Sequence, residues 1–139
     1  MNPPLETVRA TVGGVQISIE VARTPREMAQ GLMFRDHLSD NSGMIFCLLQ
    51  EERASFWMKN VKIPLSVAYM DRQGVILEIV DMKPFDERPH WSQTDKVIYA
   101  LEMNQGWFSL NQVKAGDQIK IEGRSLESLR NGPSKKPSS

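Results

Sequence analysis

Residues 7–22 read Thr-Val-Arg-Ala-Thr-Val-Gly-Gly-Val-Gln-Ile-Ser-Ile-Glu-Val-Ala, and residues 24–33 read Thr-Pro-Arg-Glu-Met-Ala-Gln-Gly-Leu-Met. The first run has the period of a strand. Val15, Ile17, Ile19 and Val21 fall on one face, and Gln16, Ser18 and Glu20 on the other. Gly13-Gly14 separates two such arms and predicts a tight hairpin between residues 7–12 and 15–22. The period then changes. Thr24 is an N-cap, Pro25 suits the first helical position, and Glu27 completes a capping box. Met28, Ala29, Leu32 and Met33 make the apolar stripe of a short helix that ends near Phe34-Arg35. Gly31 weakens that helix by about 1 kcal/mol relative to Ala.

The rest of the chain continues in the strand period. Strands are expected over residues 44–49, 54–60, 65–70, 75–82, 97–103 and 118–122. Asp71-Arg72-Gln73-Gly74 forms a second hairpin, and residues 83–94 a long polar loop. Pro64 ends ladder pairing beside Ile63. Trp107 and Phe108 sit in a turn or short helix that covers the core. Seven to nine short strands with one short helix predict a mainly β (α+β) fold, either a small barrel or a bent two-sheet fold. One domain spans residues 5–125. Residues 126–139 read as a polar, basic, largely disordered tail, because the end Asn-Gly-Pro-Ser-Lys-Lys-Pro-Ser-Ser offers little to bury.

Composition excludes several classes. The chain has 139 residues, 40% hydrophobic and 24% charged, with zero formal net charge. That balance argues against a generic nucleic-acid binder. The basic residues of the tail leave 13 basic and 16 acidic residues in positions 1–123, a mildly acidic body. A single cysteine, Cys47, forbids an internal disulfide or a multi-cysteine zinc site. It lies in an apolar run and reads as core. His37 and His90 have no metal-ligand spacing. No apolar run approaches a membrane span, and no secretory apolar region follows Met1, so the start reads as that of a trimmed or cytosolic chain. Walker, dinucleotide and Ser-His-Asp signatures are missing, and neither cofactor nor metal is expected.

Residues 54–65, Ala-Ser-Phe-Trp-Met-Lys-Asn-Val-Lys-Ile-Pro-Leu, carry the strongest hint of a site. Lys59 and Asn60 interrupt a crowd of large apolar residues, and buried polar groups need partners or a wet cleft. Together with residues 31–35 (Gly-Leu-Met-Phe-Arg), Gly43-Met44-Ile45-Phe46, Ala100-Leu101-Glu102, Gly106-Trp107 and Gly116-Asp117, this block resembles domain of unknown function one hundred ninety-two. That is an uncharacterised conserved family of bacteria and archaea. The resemblance runs from about Thr24 to Ile121. It implies a small, mostly β fold without an established activity, in a family whose members often carry export signals. A periplasmic or envelope location is therefore the expectation. Ser66 stands where that family commonly has an acid, and Val61 where it commonly has Thr.

The candidate ligand-binding residues are Arg35, Lys59, Asn60, Glu102 and Trp57. Arg35 offers a planar fork for a carboxylate or phosphate, or simply faces a helix C-terminus. Lys59 shares a strand face with Ser55 and Trp57, or snorkels over Trp57. Asn60 satisfies backbone groups where the strand breaks, or binds ligand. Glu102 falls on the face of Ile98 and Ala100 as a half-buried carboxylate, paired with Arg35 or Lys59. Trp57 is core, rim or stacking surface. These residues are expected to cluster, with at least one ionic contact to Glu102. The favoured function is a non-catalytic domain, envelope-associated or binding a small polar or anionic ligand. The alternatives are an enzyme using Lys59 and Glu102 as base and acid, and a structural or protein-interaction module. Oligomeric state is not legible.

Overall fold

The computed structural model describes residues 4–132. Strands β1 (Thr7–Val12) and β2 (Val15–Ala22) form the expected hairpin. Gly13 and Gly14 turn it with φ of 56° and 81°, the positive pair that a type I′ turn requires. Helix α1 (Pro25–Gln30) follows. The Thr24 hydroxyl accepts from the Glu27 amide at 3.1 Å, and the Glu27 carboxylate accepts from the Thr24 amide at 3.1 Å. The helix stops at Gln30, short of Phe34. Gly31 takes φ 47° and Phe34 φ 65°, so the apolar stripe continues through a turn instead of a second helical turn.

The chain then crosses to β3 (Ser42–Glu52), which lies parallel to β2. The other pairings of the main sheet are antiparallel. It contains β5 (Leu65–Met70), β6 (Ile76–Met82), β8 (Val97–Asn104) and β9 (Ile119–Ile121) in the order β6-β5-β8-β3-β2-β1-β9. The sheet curls until a bridge at Val75–Gln118 joins the outer strands. Strands β4 (Ser55–Phe56) and β7 (His90–Trp91) form a small second sheet. The fold is thus mostly β, as the sequence predicts, with two short helices; α2 is Trp107–Leu110.

Two expectations about elements need correction. The strand over residues 54–60 stops at Phe56. Met58 donates its amide to the Asp86 carbonyl at 2.7 Å, Val61 donates to Met58, and Asn60 has φ 60°. Those bonds wrap residues 57–61 into a turn. The chain also remains packed beyond residue 125. A 3₁₀ turn at Glu127–Asn131 buries Leu129 completely. The Arg124 guanidinium binds the Glu6 carboxylate at 2.9 Å, and Arg23 Nε donates to the Leu129 carbonyl at 2.7 Å. Residues 133–139 of the expected tail lie outside the described residues.

Both faces of the central strands are buried. One face gathers Ile19, Ile45, Ala68 and Leu101 under Trp107 and Phe108 of α2. The other gathers Met44, Phe46, Val67 and Ala100 under Leu32, Met58 and Val61. Double burial explains why β5 and β8 read as continuous apolar runs. Cys47 is buried on the first face, and burial pushes its thiol up to about 11.

Candidate functional site

Glu102 is the exception in this double core. It lies in the middle of β8, opposite Met44 of β3 and Val67 of β5. It shares the Ala100 face, but Ile98 belongs to the opposite cluster. The register shift between Cys47 and Glu52, opposite the start of β8, breaks the alternation there. Glu102 is 4% exposed. Among the described residues its carboxyl has neither an ion pair nor a hydrogen bond. Burial alone pushes it up to about 8, because a charge without partners is costly in an apolar setting.

Glu102 lines a cleft of about 340 Å³. One wall comes from α1 and the turn after it, with Met28, Leu32 and Met33. The other comes from β4 and its turn, with Phe56, Trp57 and Met58. Phe46 lies between them and meets Phe56 edge-to-face at 4.7 Å. The Phe34 amide donates to the Asn60 carbonyl at 2.9 Å and ties the two walls together. Behind Phe56, the Tyr69 hydroxyl donates to the His90 carbonyl, and His90 Nδ1 lies 3.0 Å from the Phe56 carbonyl. Tyr69 is pushed well up by burial and then by the nearby Glu102. Its phenol is committed to His90, which leaves Glu102 without that donor.

Of the five candidates, Glu102 and Trp57 line this cleft. Arg35 does not meet Glu102. It forks onto Glu20 of β2 at 2.5 and 2.9 Å, and that hydrogen bonding holds its guanidinium above the usual range. Lys59 is exposed and stands over the Trp57 ring at 5.3 Å, the snorkelling alternative. Asn60 serves the turn through its backbone. The expected ionic contact to Glu102 is therefore absent among the described residues. That expectation treated residues 54–60 as a straight strand, and the turn after Phe56 redirects Lys59 to solvent. Ser66 is on the other face of β5. Its hydroxyl donates to Asp81 at 2.7 Å and accepts from the Gly106 amide at 3.1 Å. The departure from the family pattern there leaves the cleft untouched, whereas Val61 lines it.

Sequence reasoning missed Glu20 as the partner of Arg35, and it missed the thioether and aromatic walls. A signal for the walls was present. Residues 31–35 and 55–60 both belong to the segments that carry the family resemblance, and residues from both line the cleft.

The model of the uncharacterized ACR family DUF192 matches residues 8–121. The chain belongs to that family. Among solved structures it is similar to a protein of Sinorhizobium meliloti 1021 proposed to be a transcription regulator. The two share 26% identity and a TM-score of 0.83, over 89% of this chain and 100% of that one. It is also similar to a protein of unknown function from Novosphingobium aromaticivorans DSM 12444. That pair shares 35% identity and a TM-score of 0.77, over 84% of this chain and 86% of the other. A search of curated proteins gives no match. The family thus fixes the fold and supplies no activity. No helix among the described residues is long and apolar enough to cross a membrane.

Proposed function

We propose that this DUF192 chain is a non-catalytic binding domain that holds a small ligand in the cleft over Glu102. The carrying observation is the nearly buried carboxyl, without an ion pair or hydrogen bond among the described residues, in a cleft lined mainly by apolar side chains. A core position filled by Glu costs stability that Leu or Met would not. Persistent cost of this kind is characteristic of binding sites. The volume suits a molecule of small-metabolite size. The acid–base enzyme reading relied on a Lys59–Glu102 pair, and the Lys59 ammonium stands over Trp57 instead. The zero net charge gives no electrostatic support to carrying over DNA regulation from the Sinorhizobium meliloti protein.

A fragment screen read by thermal shift, with binding mapped by amide NMR, tests this reading. Ligands selective for the folded state raise the melting temperature. Hits are expected to move the amides of Met28, Leu32, Met33, Phe56 and Met58, and to lose their effect in a Leu32→Trp variant that fills the cleft. A screen whose hits all map elsewhere, or that yields none, refutes it.

A further inference from the structure

We propose that the ligand of this cleft is an organic ammonium ion on a compact apolar body, with Glu102 as its counter-ion. The inference rests on the cleft being a ligand site and specifies which chemistry that site takes. Glu102 is the one ionisable residue among those lining the cleft. The guanidinium that an anionic ligand would need, Arg35, is already forked onto Glu20. The sequence-based expectation of an anionic ligand thus loses its cation. The walls favour the opposite charge. Phe46, Phe56 and Trp57 present aromatic rings, whose faces attract cations, and Met28, Met33 and Met58 present polarizable thioethers. Trp57 already attracts a cation on its solvent side, the Lys59 ammonium at 5.3 Å.

The groups around Glu102 leave its titration simple. Tyr69 of β5 stays a neutral phenol, bonded to the His90 carbonyl. β3 brings Met44 and Phe46, and the α1 side brings apolar residues and the uncharged Gln30. Lys59 lies outside, in water, where salt screens it. The free carboxyl is raised to about 8 by burial, so it is mostly protonated at pH 7. Binding an ammonium ion makes the carboxylate the favoured form, and the displaced proton goes to solvent. The pair that remains is carboxylate and ammonium, with charge conserved. Affinity should therefore rise about tenfold per pH unit below pH ~8 and flatten above it, until the amine itself loses its proton. A neutral acceptor held by the protonated carboxyl would show the reverse trend.

The test uses 2-phenylethylammonium, 2-phenylethanol and phenylacetate as probes. Titration calorimetry at pH 6 and 7, in phosphate and in HEPES, reads affinity and proton release, and amide NMR locates binding. The ammonium probe should bind in the cleft, tighten about tenfold from pH 6 to pH 7 and release about one proton at pH 7. Phenylacetate should bind at least tenfold more weakly. Glu102→Gln should keep the native amide spectrum and weaken the ammonium probe at least tenfold. If 2-phenylethanol binds the cleft as tightly as the ammonium, or if Glu102→Gln leaves the affinity unchanged, the charge assignment fails while the cleft remains a ligand site. If the fragment screen finds cleft ligands but the ammonium probe moves no cleft amide, the charge assignment fails in the same way. If no compound of any charge binds there, both readings fail.

Discussion

A carboxyl raised to about 8 by burial holds its proton more tightly in the folded chain than in the unfolded one, where a glutamate titrates near ~4.3. Between those values the folded state binds more protons. Stability therefore falls as pH rises through this window, by at most about 1.4 kcal/mol per unit, and levels off above pH ~8. Glu102→Gln removes the titration and keeps the shape. The variant should be more stable than the parent at pH 8, by up to about 4 kcal/mol, with the gap closing toward pH 4. Urea unfolding across that range measures it, and parallel pH profiles for the two proteins would count against the account. Arg35 behaves differently. Its fork onto Glu20 is partly solvated, so a double-mutant cycle of Arg35→Met and Glu20→Gln should return a coupling of about 1 kcal/mol, reduced by salt. A coupling near zero would show that the pair is not held in solution. Glu102 and Trp57, the two candidates that line the cleft, were singled out because both sit in apolar runs where their chemistry stands out. It did not identify the partner of Arg35, because Glu20 reads as an ordinary outward residue of β2, and nothing local says which distant cation it meets.

At the scale of elements, the hairpin and the capping box were readable because their determinants are local. Two adjacent glycines, a period of two and a Thr-Pro-Arg-Glu start suffice for β1, β2 and the beginning of α1. The end of α1 was not readable. Gly31 and Phe34 adopt positive φ only because the turn must carry Leu32 under the sheet and bring Phe34 to Asn60. The break after Phe56 has the same origin, since an apolar run has no period that separates a strand from a buried turn. One local requirement hides inside β3. A methyl group added at Gly43 would lie 2.2 Å from the Glu102 carbonyl oxygen and 2.4 Å from the Met103 sulfur. The first neighbour is backbone of the adjacent strand and cannot turn aside. Gly43→Ala should cost about 3 kcal/mol or more, by prising β3 from β8. A variant with an unchanged denaturation midpoint would mean that the two strands are farther apart than described.

Over the whole molecule, the seam between chain ends is held by charges that the sequence scattered. Glu6 binds Arg23 at 2.6 Å and Arg124 at 2.9 Å, and Arg23 also holds the Leu129 carbonyl. Two leucines, Leu126 and Leu129, in a short polar segment make too brief a pattern to read as an element, which is why the segment from residue 126 read as tail. Leu129→Ala should lower stability by about 2–5 kcal/mol, as for other buried leucines. A loss under half a kcal/mol, within the range of surface substitutions, would mean that the segment does not dock. The curled sheet explains the placement of the cleft. Its central strands are buried on both faces, and among the described residues the Glu102 carboxyl of β8 meets the cleft left between the α1 turn and the β4 turn. In the unliganded protein this carboxyl is nearly buried, with neither an ion pair nor a hydrogen bond among the described residues, and we claim that it is held protonated by that burial. Carbon-13 NMR titration of the Glu102 side-chain carboxyl in the unliganded protein tests that claim most directly. A midpoint near 8, well above an ordinary carboxyl, is the predicted result; a midpoint at or below ~4.5 would mean that Glu102 is hydrated or already paired, and would contradict it.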